Sequence, residues 1–407
     1  MPRLVMKFGG TSMCDSEHVN NVARLVMGEV KNGYEVIAAV SAQAGETNRL
    51  VALTREIAPL HDLREYDAVL AAGEQVSAGL LAMALQREGV SARSWLGWQL
   101  PIRTNAMHGA ARIEGVEIKE IEAQLAEGRV AVVAGFQGLG RDNRITTLGR
   151  GGSDTTAVAL AAAFGAERCD IYTDVKGVYS ADPNTVPKAG KLAKISHEEM
   201  MEMASLGAKV LQIRAVEMAM KYGVQLRVLS SFAKEDNGGT LIAMEEENME
   251  QLVVSGIAYA HNEAKITLRS VPDKPGIAAK IFGALGKTGI NIDMIVQNIS
   301  SSKHTDITFT IDSDEMARAL EALEALRGEV ELGEIEHIGS MAKVSIIGVG
   351  MRSHSGVAQK MFEVFAKLGV NIHVISTSEI KVSVLIDEKH ARKAVKALHE
   401  AFGLDKD

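Results

Sequence analysis

Apolar runs alternate with helical patterns over the first 230 residues of the chain. Five short runs are continuously apolar, as strands buried on both faces of a sheet would be, and they span residues 3–8, 35–41, 130–136, 169–174 and 225–231. The intervening patterns predict helices over residues 16–32, 66–87, 155–164 and 196–222. Ser196 and Glu199 form a capping box at the start of the last helix. This α/β alternation predicts a three-layer αβα domain over residues 1–232, with a mainly parallel central sheet and ligands at the carboxyl ends of its strands.

The pattern changes after residue 232. Residues 233–250 are polar and contain the acidic run 245–247, which predicts an exposed linker. Two segments then repeat, residues 265–293 and 343–373. Their matching residues lie 80 positions apart and are Gly276 and Gly356, Lys280 and Lys360, Phe282 and Phe362, Gly289 and Gly369, and Asn291 and Asn371.

Each repeat continues with a second strand and a second helix, which gives the order βαββα. One more strand would complete a ferredoxin-like βαββαβ domain. The first copy has a candidate at residues 328–338, whereas the second copy has none after it, and the strand-like segment 252–260 is unclaimed. We therefore predict that this segment completes the second copy. The predicted domains are residues 264–339 for the first copy and residues 251–263 plus 340–407 for the second.

Composition narrows the function classes. A length of 407 residues is enough for two or three domains, and 4% aromatic residues leave the cores to aliphatic side chains. The net charge of −8, without a basic cluster, argues against a nucleic-acid partner. The longest apolar stretch, residues 155–166, is too short to span a bilayer, and the first residues lack the apolar segment of a leader peptide. We expect Cys14 and Cys169 to be free thiols in a reducing cytoplasm.

A glycine pair follows the first predicted strand, in the segment 6–13. Gly9 and Gly10 would let backbone N–H groups approach a phosphate, and Thr11 or Ser12 could begin a helix whose N-terminus favours an anion. Lys7 adds a positive charge at the end of the strand. The alternative is a simple turn with a solvated lysine, and the segment alone favours neither.

A second glycine-rich loop precedes the predicted helix 155–164. Small residues surround Arg150, which could hold a carboxylate through two hydrogen bonds. Ser153, Asp154 or Thr155 could cap the helix. Asp154 could be only that cap, but a carboxylate beside an anion site is costly unless it orients a lysine or a magnesium ion, so a functional role is favoured.

Further candidate residues are less specific. Residues 171–184 contain polar side chains that suit a nucleotide but are equally ordinary in turns. Lys209 could be a surface lysine. Ser41 and Thr47 lie in the loop after a strand, and Thr47 could reach a substrate. Glu74 lies in an apolar helix, where a carboxylate is either near the surface or a partner for a substrate ammonium group.

Six ordered motifs together resemble the aspartokinases of the amino-acid kinase family. They are KFGGTS (7–12), LAAGEQ (70–75), GFQG (135–138), TTLGRGGSDTTA (146–157), YTDVKGVYSADP (172–183) and GAKVL (207–211). The C-terminal repeat resembles the paired ACT domains of those enzymes. The resemblance implies phosphoryl transfer from ATP, with Mg²⁺, to L-aspartate. The product enters lysine, threonine, methionine and diaminopimelate biosynthesis, and lysine, threonine or both inhibit the enzyme through the ACT domains.

The resemblance also implies residue roles. Lys7, Glu74 and Asp154 would be catalytic, with Asp154 a candidate magnesium ligand beside the nucleotide. The aspartate site would comprise Ser41, Thr47, Glu74, Arg150, Gly151, Gly152 and Ser153, with Arg150 on the α-carboxylate and Glu74 on the ammonium group. The nucleotide site would comprise Lys7, Phe8, Gly9, Gly10, Thr173, Asp174, Tyr179, Ser180, Ala181, Asp182, Pro183, Asn184 and Lys209.

Effectors would bind loops of the two repeats at an interface, in a homo-oligomer or an α/β oligomer. The candidates are Asp273, Asn291, Ile292, Asp293 and Gln297 in the first copy and Asn371, Ile372, Ser378 and Glu379 in the second. The second copy has no equivalent of Asp273 or Pro275, so equal binding by both copies is not expected. Met244 and Met249 precede the repeat and could start a separate regulatory chain.

Two other functions would share part of this pattern. A glutamate or acetylglutamate kinase would have the glycine loops but should lack the paired repeat. A non-catalytic amino-acid sensor would keep the repeat without needing Lys7, Arg150 and Asp154 together.

Overall fold

The computed structural model describes residues 1–206, 210–233, 238–244, 253–299 and 303–405. The chain divides into two compact units. The first comprises Met1–Val178 and Lys191–Met249, and the second comprises Tyr179–Gly190 and Glu250–Asp407. Lys209, Met249 and the acidic run 245–247 lie outside the described residues.

The first unit is built on a mainly parallel sheet, as predicted. Its strands are β1 (Arg3–Phe8), β2 (Glu35–Val40), β3 (Ala92–Trp95), β4 (Ile102–Thr104), β5 (Ile113–Val116), β6 (Val130–Ala134), β7 (Gln137–Leu139), β8 (Ile145–Thr147), β9 (Arg168–Thr173), β10 (Lys194–Ser196), β11 (Leu226–Ser230) and β12 (Thr240–Ala243). Eight of them form one sheet in the order β10-β12-β11-β9-β1-β2-β6-β3, in which β11 and β12 are the antiparallel pair. The other four form a small sheet in the order β5-β4-β7-β8.

Helices cover this sheet. They are α1 (Ser16–Lys31), α2 (Glu46–Ile57), α3 (Leu63–Leu70), α4 (Ala72–Arg87), α5 (Lys119–Ala126), α6 (Gly152–Phe164), α7 (His197–Ser205) and α8 (Ile213–Tyr222). Alternate residues of a strand face opposite sides of a sheet. Leu4 and Met6 of β1 therefore share one core cluster with residues of α1 and α4, while Lys7 faces α6 on the other side.

One helical stretch, Leu63–Arg87, is long and apolar enough to cross a membrane by length and composition alone. It comprises α3 and α4, and 56% of its most apolar window is buried inside the structure. Leu81 and Leu85 of α4 are fully buried in the core beside α1. One face of the stretch therefore packs in the core of the first unit, while Val76, Leu80 and Met83 on α4 are exposed.

Three predicted elements differ from the structure. The helix predicted over 66–87 is divided at Ala71, whose carbonyl oxygen accepts a hydrogen bond from Gln137 Nε2 at 3.0 Å. The helix predicted over 196–222 is divided into α7 and α8, although its Ser196 and Glu199 capping box is confirmed. The predicted linker contains β12, which pairs with β11 and extends the large sheet, and three of its four residues are buried.

The second unit contains one six-stranded sheet. Its strands are β13 (Gly256–Pro272), β14 (Ile295–Ile299), β15 (His304–Asp312), β16 (Ile335–Ile347), β17 (Val374–Thr377) and β18 (Lys381–Asp387). Its helices are α9 (Ile277–Lys287), α10 (Met316–Leu326), α11 (Val357–Leu368) and α12 (Ala391–Phe402). The strand order is β14-β15-β13-β16-β18-β17.

Two long strands are shared by the repeats. The first half of β13 pairs with the second half of β16, with Gly256 opposite Ile347, and the second half of β13 pairs with the first half of β16, with Leu268 opposite Ile335. Each repeat thereby acquires the four-stranded order of a ferredoxin-like domain. The segment 256–260 lies in the sheet of the second copy, which is where the sequence prediction places it.

The segment Tyr179–Gly190 packs with the second unit rather than with the predicted domain 1–232. Ser180 Oγ lies 2.9 Å from His399 Nε2, and the backbone N–H of Ile257 donates to the Ser180 carbonyl oxygen at 2.7 Å. Thr185 Oγ1 lies 2.8 Å from the Tyr259 hydroxyl. These buried contacts explain the difference, and the sequence pattern alone does not reveal them.

Candidate active site

The carboxyl ends of the central strands meet at one edge of the large sheet. Backbone hydrogen bonds join the loops that follow: Gly9 N–H donates to Tyr172, Ser41 N–H to Phe8 and Gly135 N–H to Val40, at 3.0–3.2 Å. The loops after β1, β2, β6 and β9 therefore form one continuous rim. Such a rim is where parallel α/β sheets bind ligands.

Lys7 and Asp154 form a buried ion pair at this rim. Lys7 Nζ, near the end of β1, lies 2.6 Å from Asp154 Oδ1 in the first turn of α6. The two residues are 9% and 7% exposed. Burying an ion pair costs desolvation free energy. A pair that is kept at a strand end despite this cost points to a functional role.

The glycine pair after β1 packs closely on the neighbouring loop. A Cβ atom added at Gly10 would lie 2.9 Å from the Ala42 carbonyl oxygen, and Ala44 N–H donates to the Gly10 carbonyl oxygen. Gly10–Met13 form a short 3-10 helix. Phe8 differs from its predicted role, because its side chain is fully buried and stacks on Tyr172, which leaves only its backbone near the rim.

Arg150 lies between two glycines in left-handed conformations, Gly149 with φ 77° and Gly151 with φ 70°. A Cβ atom at Gly151 would lie 1.6 Å from Gln212 Cγ, so only glycine fits there. Arg150 itself is exposed. A turn that requires glycine thus presents an exposed, charged side chain at the rim.

Gly151 is also the N-cap of α6, which corrects the expectation that Ser153, Asp154 or Thr155 caps this helix. The helix begins earlier than predicted, and Gly152 and Ser153 are buried in its first turn. A Cβ atom at Gly135 would lie 2.9 Å from Ser153 Cβ. The side chains of this turn are therefore free to face the rim instead of capping the backbone.

Glu74 is buried in the first turn of α4 and is 3% exposed. One carboxyl oxygen accepts a hydrogen bond from Ala42 N–H at 3.1 Å, and the other, Oε2, has no hydrogen-bond partner among the described residues. Burial raises the pKa of Glu74 to about 7, against the opposing effect of backbone hydrogen bonds. A buried carboxyl group with an unsatisfied oxygen suits a cationic ligand.

The other residues predicted for the aspartate site are near the same loops. Ser41 directly follows β2, and Thr47 lies in the first turn of α2, both half-buried. At the end of β9, Thr173 donates to Asp174 Oδ1 at 3.0 Å. Lys209 lies outside the described residues.

The remaining nucleotide candidates, residues 179–184, belong to the second unit. Asp182 Oδ1 accepts hydrogen bonds from the backbone and side chain of Asn184, which is ordinary turn chemistry. Ser180 Oγ is hydrogen-bonded to His399 Nε2, and the Ala181 side chain belongs to the hydrophobic core of the second unit. Tyr179 is half-buried and Pro183 is exposed.

Sequence reasoning missed three residues that order these loops. Gln137 is fully buried and joins the Ala71 carbonyl oxygen to Gly97 N–H. Arg214 of α8 donates to the carbonyl oxygens of Leu148 and Ala111, at 2.6 and 3.0 Å. Asp67 is fully buried in α3 and accepts hydrogen bonds from two distant loops. Asp67 had no signal in the sequence, because Arg64 and Glu65 make α3 polar around it.

The effector candidates of the first copy lie in two separate places, near opposite ends of strand β15. Asp273 follows β13, and its N–H donates to Lys303, whereas Asp293 N–H donates to Thr310 just before β14. These two partners are seven positions apart along the β15 region, roughly 20 Å. Asp293 also forms an ion pair with the buried Lys343, and Asn291, Ile292 and Gln297 lie before or on β14.

The effector candidates of the second copy flank β17. Asn371 and Ile372 precede this strand, and Ser378 and Glu379 form the turn after it. Ser378 N–H donates to the Lys381 carbonyl oxygen at 2.8 Å, and Glu379 pairs with Arg352 at 3.3 Å. Because β14 and β17 are the two edge strands, the two candidate sites lie on opposite edges of the sheet.

Comparison with known proteins gives the family of both parts of the chain. The sequence profile of the amino acid kinase family matches residues 2–230, and that of the ACT domain matches residues 269–326 and 344–402. An aspartate kinase of Pseudomonas putida is 52% identical over 406 residues, which cover 100% of this chain and 98% of that protein. An aspartokinase of Mycolicibacterium smegmatis is 46% identical over 412 residues, with coverages of 100% and 97%.

Solved structures agree over almost the full length. Aspartokinase III of E. coli in complex with aspartate and ADP, in an R-state, matches with a TM-score of 0.80 and 28% identity over 98% of this chain and 99% of that chain. The same enzyme in complex with lysine and aspartate, in a T-state, matches with a TM-score of 0.76, 28% identity and the same coverages. The chain therefore belongs to the aspartokinases, kinases of the amino acid kinase family that carry ACT domains.

Proposed function

We propose that the enzyme transfers the γ-phosphoryl group of ATP to the β-carboxylate of L-aspartate, giving 4-phospho-L-aspartate and ADP. The buried ion pair of Lys7 with Asp154, at the rim of a parallel sheet, carries this proposal. A related E. coli enzyme was crystallised with aspartate and ADP, the acceptor and the nucleotide product of this reaction.

The chain's residues stabilise charge rather than exchange protons. An aspartate carboxylate oxygen attacks the γ-phosphorus, the bond from phosphorus to the β–γ bridging oxygen breaks, and ADP leaves. Lys7 stabilises the negative charge on the transferred group, and the backbone at Gly9 and Gly10 lies against the phosphates, with Gly10 N–H as the donor because Gly9 N–H is bonded to Tyr172. Asp154 holds Lys7 in place.

Magnesium fits this site. Mg²⁺ in nucleotide sites takes one or two carboxylate ligands together with phosphate oxygens, and Asp154 is a carboxylate at the rim beside Lys7. When bound, the ion neutralises charge on the phosphates.

The aspartate substrate would be held by opposite charges. Arg150 binds the α-carboxylate, and Glu74, with its unsatisfied Oε2, binds the ammonium group. Ser41, Thr47, Gly151, Gly152 and Ser153 line the remainder of the site. Thr173, Asp174 and Lys209 are proposed for the nucleotide.

Replacement of Lys7 tests the proposal. We expect Lys7→Ala to lower kcat by roughly 10² or more with ATP still bound, because a preorganised charge opposite the transferred group is lost. Steady-state kinetics and ATP calorimetry measure both quantities, and the exposed Lys31→Ala is the matched control. A Lys7→Ala enzyme within a few-fold of wild type would remove Lys7 from the mechanism.

We also propose that lysine, threonine or both inhibit the enzyme through the second unit. The enzyme would be a cytoplasmic oligomer that catalyses the first step of lysine, threonine, methionine and diaminopimelate synthesis. The supporting observations are the matching ACT profiles and the lysine-bound T-state of a related enzyme. Coupling of about 1–3 kcal/mol would give 5–150-fold inhibition.

Gln297 tests the effector site because it is exposed on the edge strand β14. We expect Gln297→Ala to raise the effector concentration needed for half-inhibition while leaving uninhibited kcat unchanged. Exposed Gln359 of α11 provides the control, as Gln359→Ala. Unchanged inhibition curves for Gln297→Ala would exclude this residue from the effector site.

A further inference from the structure

Asp67 is a fully buried carboxylate without an ion pair to lysine or arginine among the described residues. It lies in α3, whereas the catalytic Lys7 lies in β1, far earlier in the sequence. Its two oxygens accept hydrogen bonds from His108 Nδ1 at 2.7 Å, from Gly109 N–H at 3.0 and 3.1 Å, and from Thr147 Oγ1 at 2.5 Å. A buried carboxylate is tolerated when it is satisfied in this way, so these contacts are interdependent.

These hydrogen bonds join Asp67 to two loops, and the two loops contact each other next to Arg150. Thr147 ends β8, three residues before Arg150, and Gly109 lies in the loop between β4 and β5. The loops touch directly, because a Cβ atom at Gly149 would lie 3.3 Å from the Gly109 carbonyl oxygen. Ala111 N–H also donates to the Thr147 carbonyl oxygen at 2.8 Å.

Other hydrogen bonds fix Leu148, the next residue of the same turn. Arg214 donates to the Leu148 carbonyl oxygen, and Leu148 N–H donates to Phe136. Thr147 and Leu148 are therefore fixed through side-chain and backbone contacts, while the Arg150 side chain remains exposed. The position of the guanidinium group depends on where this turn is held.

His108 completes the arrangement. Because an ionised carboxylate only accepts hydrogen bonds, His108 Nδ1 carries the proton that points to Asp67. His108 Nε2 is buried and has no hydrogen-bond partner among the described residues, and Asp142 Oδ2 lies 3.9 Å from it. His108 thus contributes to the network through one nitrogen, and Asp67 is the member that joins both loops.

We propose that Asp67 is a positioning residue for the acceptor substrate: through Thr147 and Gly109 it places the Arg150 turn for binding the α-carboxylate of the amino acid. This inference rests on the role of Arg150 in the proposed function. The hydrogen bonds of Asp67 go to His108, Gly109 and Thr147, so we expect its replacement to leave nucleotide binding unchanged.

A double-mutant cycle on the full-length enzyme separates positioning from general destabilisation. Asp67→Asn keeps the shape of the side chain but weakens three charge-assisted hydrogen bonds. We expect it to raise KM for aspartate by roughly tenfold, with KM for ATP within about twofold of wild type. In an Arg150→Ala background the same change should alter KM for aspartate by less than about twofold, because the turn then has no side chain to place.

Two comparisons keep the test interpretable. Asp170 is also fully buried but pairs with Arg168 and Arg227 in the sheet, so Asp170→Asn controls for the loss of any buried carboxylate. If Asp67→Asn does not fold, Thr147→Val removes the hydroxyl donor and Thr147→Ser retains it. We then expect Thr147→Val alone to raise KM for aspartate.

The inference is overturned if Asp67→Asn raises KM for aspartate equally in the wild-type and Arg150→Ala backgrounds, or if KM for ATP rises in parallel. It is also overturned if Thr147→Val and Thr147→Ser behave alike. Failure of the proposed function would be distinguished by wild-type enzyme that does not release ADP with aspartate.

Discussion

Glu74 shows how one side chain connects burial with substrate binding. Its pKa of about 7 follows from burial in the first turn of α4, where one oxygen accepts from Ala42 N–H and the other is unsatisfied. An ionised Glu74 is unfavourable in the empty site and favourable opposite an ammonium group. The ligand therefore supplies the charge that the fold leaves uncompensated.

The charge state of Glu74 predicts a pH dependence. Below about pH 7 the carboxyl group is protonated and no longer attracts a cation, so kcat/KM for aspartate should fall as pH decreases through 7. Glu74→Gln should have a low kcat/KM that lacks this pH dependence. Rate profiles from pH 6 to 9 measure it, with the exposed Glu56→Gln as control. A Glu74→Gln enzyme that retains the wild-type profile would contradict the assignment.

The raised pKa of Glu74 also makes the stability of the fold depend on pH. The raised pKa means that the folded state holds a proton more tightly than the unfolded state, whose Glu74 titrates near 4.5. Stability is therefore lost as pH rises from about 4.5 to 7, by up to about 3 kcal/mol. Glu74→Gln should increase the free energy of unfolding at pH 8 and change it little at pH 4.5.

Single residues were predictable where the chain order itself carries the signal. Lys7 and Asp154 both belong to glycine-rich motifs, and the structure places their side chains in contact. Asp67 was not predictable in the same way, because His108 and Thr147 are 41 and 80 positions away. Contacts of that separation depend on tertiary packing and leave no local pattern.

At the level of elements, the five longest strands of the large sheet were more predictable than the helix boundaries. The five apolar runs correspond to β1, β2, β6, β9 and β11, because a strand buried on both faces is mostly apolar. In β9 the exception is Asp170, which is buried in ion pairs with Arg168 and Arg227. The division at Ala71 coincides with a hydrogen bond from Gln137, a tertiary contact that the helical pattern does not contain. The N-cap of α6 is Gly151 because a left-handed turn with Gln212 against it requires glycine.

The whole molecule combines a mainly parallel kinase sheet with a second sheet built by two interlocked repeats. The repeats were recognisable from matched residues 80 positions apart, but their sharing of the long strands β13 and β16 emerges only from the pairing. The chain carries a net charge of −8, yet both proposed substrates are anions. Lys7, Arg150 and backbone N–H groups must therefore provide a local positive field.

The most direct test of the account is the release of ADP from ATP by the purified full-length enzyme, with L-aspartate, L-glutamate or N-acetylglutamate as acceptor and without lysine or threonine. The account predicts ADP release that depends on L-aspartate, with the other two acceptors slower by about 10² or more in kcat/KM. Equal or faster ADP release with glutamate or N-acetylglutamate, or none with any acceptor, would contradict it.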